Sequence, residues 1–398
     1  MDLFLLGGLI MLIKNAKIFT MEYDLIIENG FIFIENNIIK KIGHMSKLNF
    51  EDENTIDLNG KNIYPGFIDA HTHIGLFENG LTFEGDDGNE ETDPITPNLR
   101  VLDGINPMDQ CFKEAIKSGV TTVIVSPGST NPIAGEILAM KTHGICIDDM
   151  IIKSPIAIKF ALGENPKNVY NDKNQSPSTR MATAALIREK LSKAKIYYEA
   201  KKISKEKKNK DLNPKYNAKC EALIPLFKKS IAAHFHAHRA DDIFTAIRIA
   251  KEFDLDLVLV HGTEGYKIKD YLKKDKIPVL CGPIISDRSK PELLSLTPES
   301  PGILSNSCIN TAIITDHPET PIHYLRMSLM VAVKNGMSKK NALKAITINP
   351  AKICNIEDKV GSIKVGKDAD LVVFENDIFD FYSEPEMVMC SGKIVYKK

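Results

Sequence analysis

Three histidines stand at alternate positions in IAAHFHAHRADD, residues 231–242: His234, His236 and His238. The chain has ten histidines in all, so this density asks for a chemical reason. In a strand, side chains two apart share a face, and inside a barrel that face is the lumen. A second pair, His71 and His73 in YPGFIDAHTHIG, closes an apolar run. Two convergent imidazoles on a rigid strand make half of a Zn2+-type site, with plain packing as the alternative. Two further apolar runs end on a polar group, LVLVHGTE at His261 and TAIITDHPETP at Asp316. Asp316 could equally cap the next segment. Lys159 lies within the apolar run IAIKFALGENP, where an ammonium is expensive unless neutralised or paired.

These residues need elements to hold them. The middle of the chain alternates apolar strands (GFIDAHTHI, TTVIVSPG, IAIKFALG, SIAAHFHAH, LDLVLVHG, IPVLCGP, TAIITDH) with helical stretches such as DDIFTAIRIAKEF. Strand–helix alternation implies a parallel sheet, and seven or eight units favour a (β/α)8 TIM-type barrel. Polar residues at strand C-termini are then the candidates for chemistry. Both ends read instead as short strands with Gly and Asn turns, for example DLIIENGFIFIENNIIKKIG and MVMCSGKIVYKK. The expected class is α/β, with an accessory β-sandwich from residues 11–64 and 355–398 and a metal-dependent barrel over 65–354. A basic helical stretch at about 165–229 interrupts the rhythm and reads as an insertion, either a solvated helix pair or a cover for the mouth.

The 398 residues carry a formal net charge of −1, with 43% hydrophobic and 26% charged residues. That balance gives no reason to expect nucleic acid or an anionic membrane as partner. Seven scattered cysteines without a CxxC pair read as reduced thiols in a cytoplasmic protein. The apolar LFLLGGLIMLI, residues 3–13, is far shorter than the roughly 20 residues of a membrane span. It lacks a basic leader, and Met11 offers an alternative start.

The motifs GFIDAHTH, HAHRADD, VHGTE, TDHP and NPAKICNIEDKVGSIKVGKDADLVVF together resemble the amidohydrolase superfamily over almost the whole chain. ALGENP, PSTRMATAALIRE and GPIISDRSKPEL are similar to its imidazolonepropionase-related branch. The resemblance implies a divalent metal, Zn2+ first, at one or two ions per chain. It implies ligands at His71 and His73 after the first strand, His236 on the fifth, His261 on the sixth and Asp316 on the eighth. His236 is preferred because the family's fifth-strand ligand begins an HA run. His238 would then face substrate and His234 would be packing. The family's acid after that histidine is replaced by His238 or Arg239, which speaks against deaminase-style proton shuttling by a glutamate. Several branches bridge two metals with a carboxylated lysine, and Lys159 matches that position; Lys159 paired with Glu164 in a mononuclear site is the alternative.

The expected reaction is hydrolysis of a C–N bond in a small amide, cyclic amide or dipeptide-like molecule by metal-activated water. Asp316 would relay the proton and His261 would be ligand or polarising group. A heterocycle deaminase and a non-catalytic scaffold of the same fold are the rivals. His238, Arg239, Arg288 and Arg180 are the candidate substrate contacts, because a guanidinium grips a carboxylate bidentately. A homo-oligomer is expected for such a barrel.

Overall fold

The computed structural model describes residues 10–23, 25–80 and 82–398. Most of the apolar stretch 3–13 therefore lies outside the described residues; its end, from Ile10, opens the first strand, Ile10–Phe19.

Eight strands form the barrel sheet in sequence order: β1 (Phe67–Thr72), β2 (Val120–Val125), β3 (Ile133–Lys141), β4 (Ile151–Ala161), β5 (Ala232–Ala237), β6 (Leu257–His261), β7 (Val279–Cys281) and β8 (Thr311–Ile313). The strands of β1, β2, β5 and β8 are buried at every position, as strands covered on both faces must be. Two backbone hydrogen bonds close the ring beyond β8: Asp316 N–H donates to His71 O at 3.2 Å and His73 N–H to His317 O at 2.8 Å. Asp69 adds a side-chain clasp, accepting from the Thr315 hydroxyl at 2.5 Å.

One strand departs from the expected pattern. β3 runs antiparallel to both β2 and β4, while the other neighbouring pairs are parallel. A loop of seven residues joins β2 to β3 and no helix intervenes. A parallel return needs a crossover of a dozen residues or more, so this connection can only reverse direction. The apolar alternation of IAGEILAMK was not among the strands expected from the sequence.

The stretch from Glu164 to Phe227 serves as the β4–β5 crossover. Its main helix, Arg180–Glu206, buries Thr183, Ala184, Ile187, Leu191, Ala194 and Tyr197. This stripe shares a core with Phe160 and Phe235, stacked at 4.5–7 Å-type spacing with centroids 4.6 Å apart. The helix therefore covers the barrel wall, although its Lys-rich far end is exposed.

The termini build one eight-stranded sheet. Its path runs Lys393–Lys397, Met387–Cys390, Leu371–Phe374, Asn62–Pro65, Ile10–Phe19, Ile26–Glu35 and Ile38–His44, with Thr55–Asp57 also on Ile10–Phe19. Asn36 and Asn37, both at positive φ (51° and 68°), make the tight hairpin turn that Asn tolerates best after Gly. Ile39 from one edge shares a core with Met387 and Met389 near the other, so the sheet curls over its own interior.

Candidate active site

The candidate ligands converge at the C-terminal end of the barrel. His71 and His73 lie at and just beyond the end of β1, His234 and His236 on β5 with His238 just past it, His261 closes β6, and Asp316 follows β8. His261 and Asp316 both adopt the left-handed region, φ 70° and 55°. Non-glycine residues there are strained, a feature that clusters at functional sites. The turn at His261 brings its ring against His236 and His238, with centroids at 4.5 and 4.6 Å.

Two groups of donors emerge, each with atoms within 4.8 Å of one another: His71, His73 and Asp316, and His236, His238 and His261. Asp316 Oδ1 lies 3.4 Å from His71 Nε2 and 3.3 Å from His73 Nε2. Lys159 on β4, the strand paired with β5, is completely buried, its Nζ 3.0 Å from His71 Nε2. Glu164 does not reach it; that side chain lies at the start of the next helix. Among the described residues Lys159 has no ion pair.

Burial sets the charges. It pushes His71, His236 and His238 well below the ordinary imidazole value, helped by Lys159 at His71 and by His261 at the other two. His261 falls to about 4 for the same first reason. These rings are neutral, the form that binds metal. Burial alone would raise Asp316, but the His261 and His73 rings outweigh it and hold the carboxyl below its usual range. Burial drives the Lys159 amine down to about 7, opposed only by Asp316.

The donor set fits a metal. His73 and His261 each spend Nδ1 on a backbone carbonyl, Ser126 O and Gly282 O, both at 2.7 Å. A ring N–H fixed in this way leaves the Nε2 lone pair facing inward, the usual arrangement behind a ligating histidine. His71 Nδ1, both ring nitrogens of His236, and Asp316 Oδ1 are buried with no hydrogen-bond partner. Orphaned polar atoms of this kind are costly, and a cation satisfies acceptors.

His236 and His238 differ in their partners. His238 Nδ1 already sits 2.7 Å from the Thr263 hydroxyl, and its Nε2 lies 3.6 Å from Glu292 Oε1. His236 has no such partner at hydrogen-bond distance; Glu292 is 3.9 Å away.

A cavity of about 420 Å3 opens above these groups, lined by His73, His236, His238 and Asp316 below and by Asn89, Ser129, Thr130, Asn165, Ser286 and Lys290 around the wall. The three arginines expected to hold substrate are not in it. Arg180 bonds the buried Asp242, Arg239 forks onto its neighbour Asp241, and Arg288 donates to Leu296 O. Each guanidinium is engaged by an acceptor already present in the fold. The cation that does line the cavity is Lys290, held 2.9 Å from both Asn165 Oδ1 and Glu292 Oε1. Glu292 was also missed: it is buried at 2% exposure and also accepts from the Glu164 N–H at 3.0 Å. No apolar run precedes either residue in SDRSKPEL, so nothing marked them as strand-end groups.

Comparison with known proteins agrees with this architecture. The amidohydrolase family model matches residues 62–395. An amidohydrolase structure from Thermotoga maritima MSB8 is 42% identical, with a TM-score of 0.92 over 98% of this chain and 100% of that one. An imidazolonepropionase from Fusobacterium nucleatum is 24% identical over 97% of this chain and 95% of its own length. The amidohydrolase tasK of Hapsidospora irregularis is 24% identical over 91% of this chain, which spans only 39% of that protein. Fold, lumen donors and family match together place the chain in the amidohydrolase family, metal-dependent enzymes acting on carbon–nitrogen bonds.

Proposed function

We propose that this enzyme hydrolyses the C–N bond of a small amide, cyclic amide or dipeptide-like substrate at a binuclear centre. The observation that carries the reading is Lys159: a fully buried amine without an ion pair, against His71 of one donor group and on the strand beside His236 of the other. As an ammonium it would oppose any cation nearby. As a carbamate it is an anionic oxygen ligand that serves both groups. In this reading His71 and His73 hold one ion, His236 and His261 the other, and carboxylated Lys159 and Asp316 complete the set. Zn2+ suits a site of imidazoles and oxygen donors.

Bound there, the divalent ions supply Lewis-acid activation of water near neutral pH. The chain's own residues do the rest. Asp316, ionised and 13% exposed at the cavity floor, accepts the proton of the attacking water and returns it to the leaving nitrogen. His238, anchored through Nδ1 by the Thr263 hydroxyl, lines the cavity and holds the substrate oxygen with Nε2. Asn165 and Lys290 orient the remainder of the molecule. Arg180, Arg239 and Arg288 have no part in this assignment.

One observation favours a second reading, heterocycle deamination. Glu292 brings a carboxylate to the β5 histidines from the loop after β7, supplying the acid that HAHR lacks. The two readings part on one assay. The Zn2+-treated enzyme is offered amides, cyclic amides, dipeptides and amino-heterocycles, with Asp316→Asn as control. Hydrolysis of an amide class, cut about 10²–10⁴-fold by Asp316→Asn, supports the proposal. Ammonia released from heterocycles with no amide turnover supports deamination; no turnover of either kind contradicts both.

The division into a unit of residues 11–64 with 355–398 and a barrel over 65–354 also remains our proposal, as does homo-oligomerisation. No helix among the described residues is long and apolar enough to cross a membrane. We place the enzyme in the cytoplasm on its seven free cysteines.

A further inference from the structure

The deepest histidine of β5 has no task in the mechanism above. His234 is buried at 1% exposure, and neither of its ring nitrogens has a partner. A neutral imidazole carries one N–H and one lone pair, and leaving both unmade in an interior is costly. Packing alone would be served better by an apolar side chain, as Phe235 shows on the outer face of the same strand.

Its neighbour supplies a reason. His234 sits directly opposite Lys159 in the β5–β4 register, so the two side chains leave the sheet side by side into the lumen. Lys159 as an ammonium offers donors only, so it gives a ring N–H beside it no lone pair to bond. Carboxylation changes that. The amine lone pair forms an N–C bond to CO2, one C=O π pair moves to oxygen, and the nitrogen releases one proton to solvent. The product is an anionic carbamate with two acceptor oxygens.

We propose that His234 is a positioning residue for this carbamate: its ring N–H bonds a carbamate oxygen and favours the carboxylated lysine over the free amine. The inference rests on the binuclear reading of the site. It assigns a role to a residue that sequence reasoning left to packing.

The test uses the full-length enzyme loaded with Zn2+ and 13C-labelled bicarbonate. The carbamate carbon is read by NMR, metals per chain by elemental analysis, and folding by thermal denaturation. Wild type is compared with His234→Phe, which removes the N–H, and with His234→Gln, which restores one; His234→Met is the second apolar replacement should Phe not fold. Expected are a carbamate resonance in wild type and in His234→Gln at a low concentration of labelled bicarbonate. The apolar variants lose that resonance and part of their metal, and regain both in excess bicarbonate. A purely structural role would not respond to bicarbonate. An apolar variant that keeps the resonance at the low concentration of labelled bicarbonate overturns the role of His234 and leaves the binuclear reading standing. A wild type without carbamate overturns that reading and this inference with it.

Discussion

Lys141 and Lys159 are buried lysines on adjacent strands, β3 and β4, and their surroundings are opposite. Lys141 lies at the seam with the terminal sheet, 2.5 Å from Asp370 and 2.9 Å from Asp368. Asp370 is itself held by the Ser391 N–H at 2.7 Å. Burial works against the Lys141 charge, yet Asp370, Cys390 and Asp368 outweigh it and hold the amine above its ordinary value. Lys159 meets rings in place of carboxylates, and burial takes it down to about 7. A paired buried lysine is a fastener between two parts of a fold. An unpaired one is an open valence waiting for chemistry.

That contrast can be broken on either side. The largest stability effect is expected at the seam. Lys141→Met leaves Asp370 buried without its cation, and breaking a buried pair from one side costs about 3–5 kcal/mol. Denaturant unfolding should show this loss while metal content stays at the wild-type value. A metal-depleted but stable Lys141→Met would mean the two lysines do not differ as described. The sign with pH follows from the raised value. The contribution of Lys141 is full below its unfolded pKa and is lost only as pH rises through the higher folded one, so it persists across the neutral range.

Within the lumen, His236 and His238 sharpen the comparison at smaller scale. His236→Asn should remove about one metal per chain, because its nitrogens have no other partner. His238→Asn should leave metal content unchanged and raise KM or lower kcat, since this reading gives the metal to His236 and sets His238 against substrate on the cavity wall. The reverse pattern would exchange their roles. The smallest effect is expected at Arg239, whose partner is the exposed Asp241. Arg239→Ala should change stability by no more than about 0.5 kcal/mol and leave kcat/KM within about twofold.

Much of the lumen could be read in the sequence because strand ends announce themselves. An apolar run that stops at His71, His261 or Asp316 marks the rim of a barrel wherever the neighbouring strands fall. What depends on neighbours could not be read so. The pairing of His234 with Lys159 is a matter of register between strands separated by a long crossover. β3 was overlooked because its direction is set by a connection too short for a helix. Lys290 and Glu292 sit in a loop of ordinary polar composition, and only the folded chain carries Glu292 to the β5 histidines. The arginines show the opposite: a guanidinium advertises carboxylate binding, and each is held by an acceptor, Asp242, Asp241 or Leu296 O, that the sequence did not show.

The central claim of the proposal is that carboxylated Lys159 would help hold two metals, and metal stoichiometry tests it most directly. Elemental analysis of wild type and Lys159→Ala should give about two metals per chain in the first and one or fewer in the second, with both proteins folded. About one metal in each would contradict that claim and favour a mononuclear centre. No metal in wild type, with none taken up from added Zn2+, would contradict the account of the site altogether.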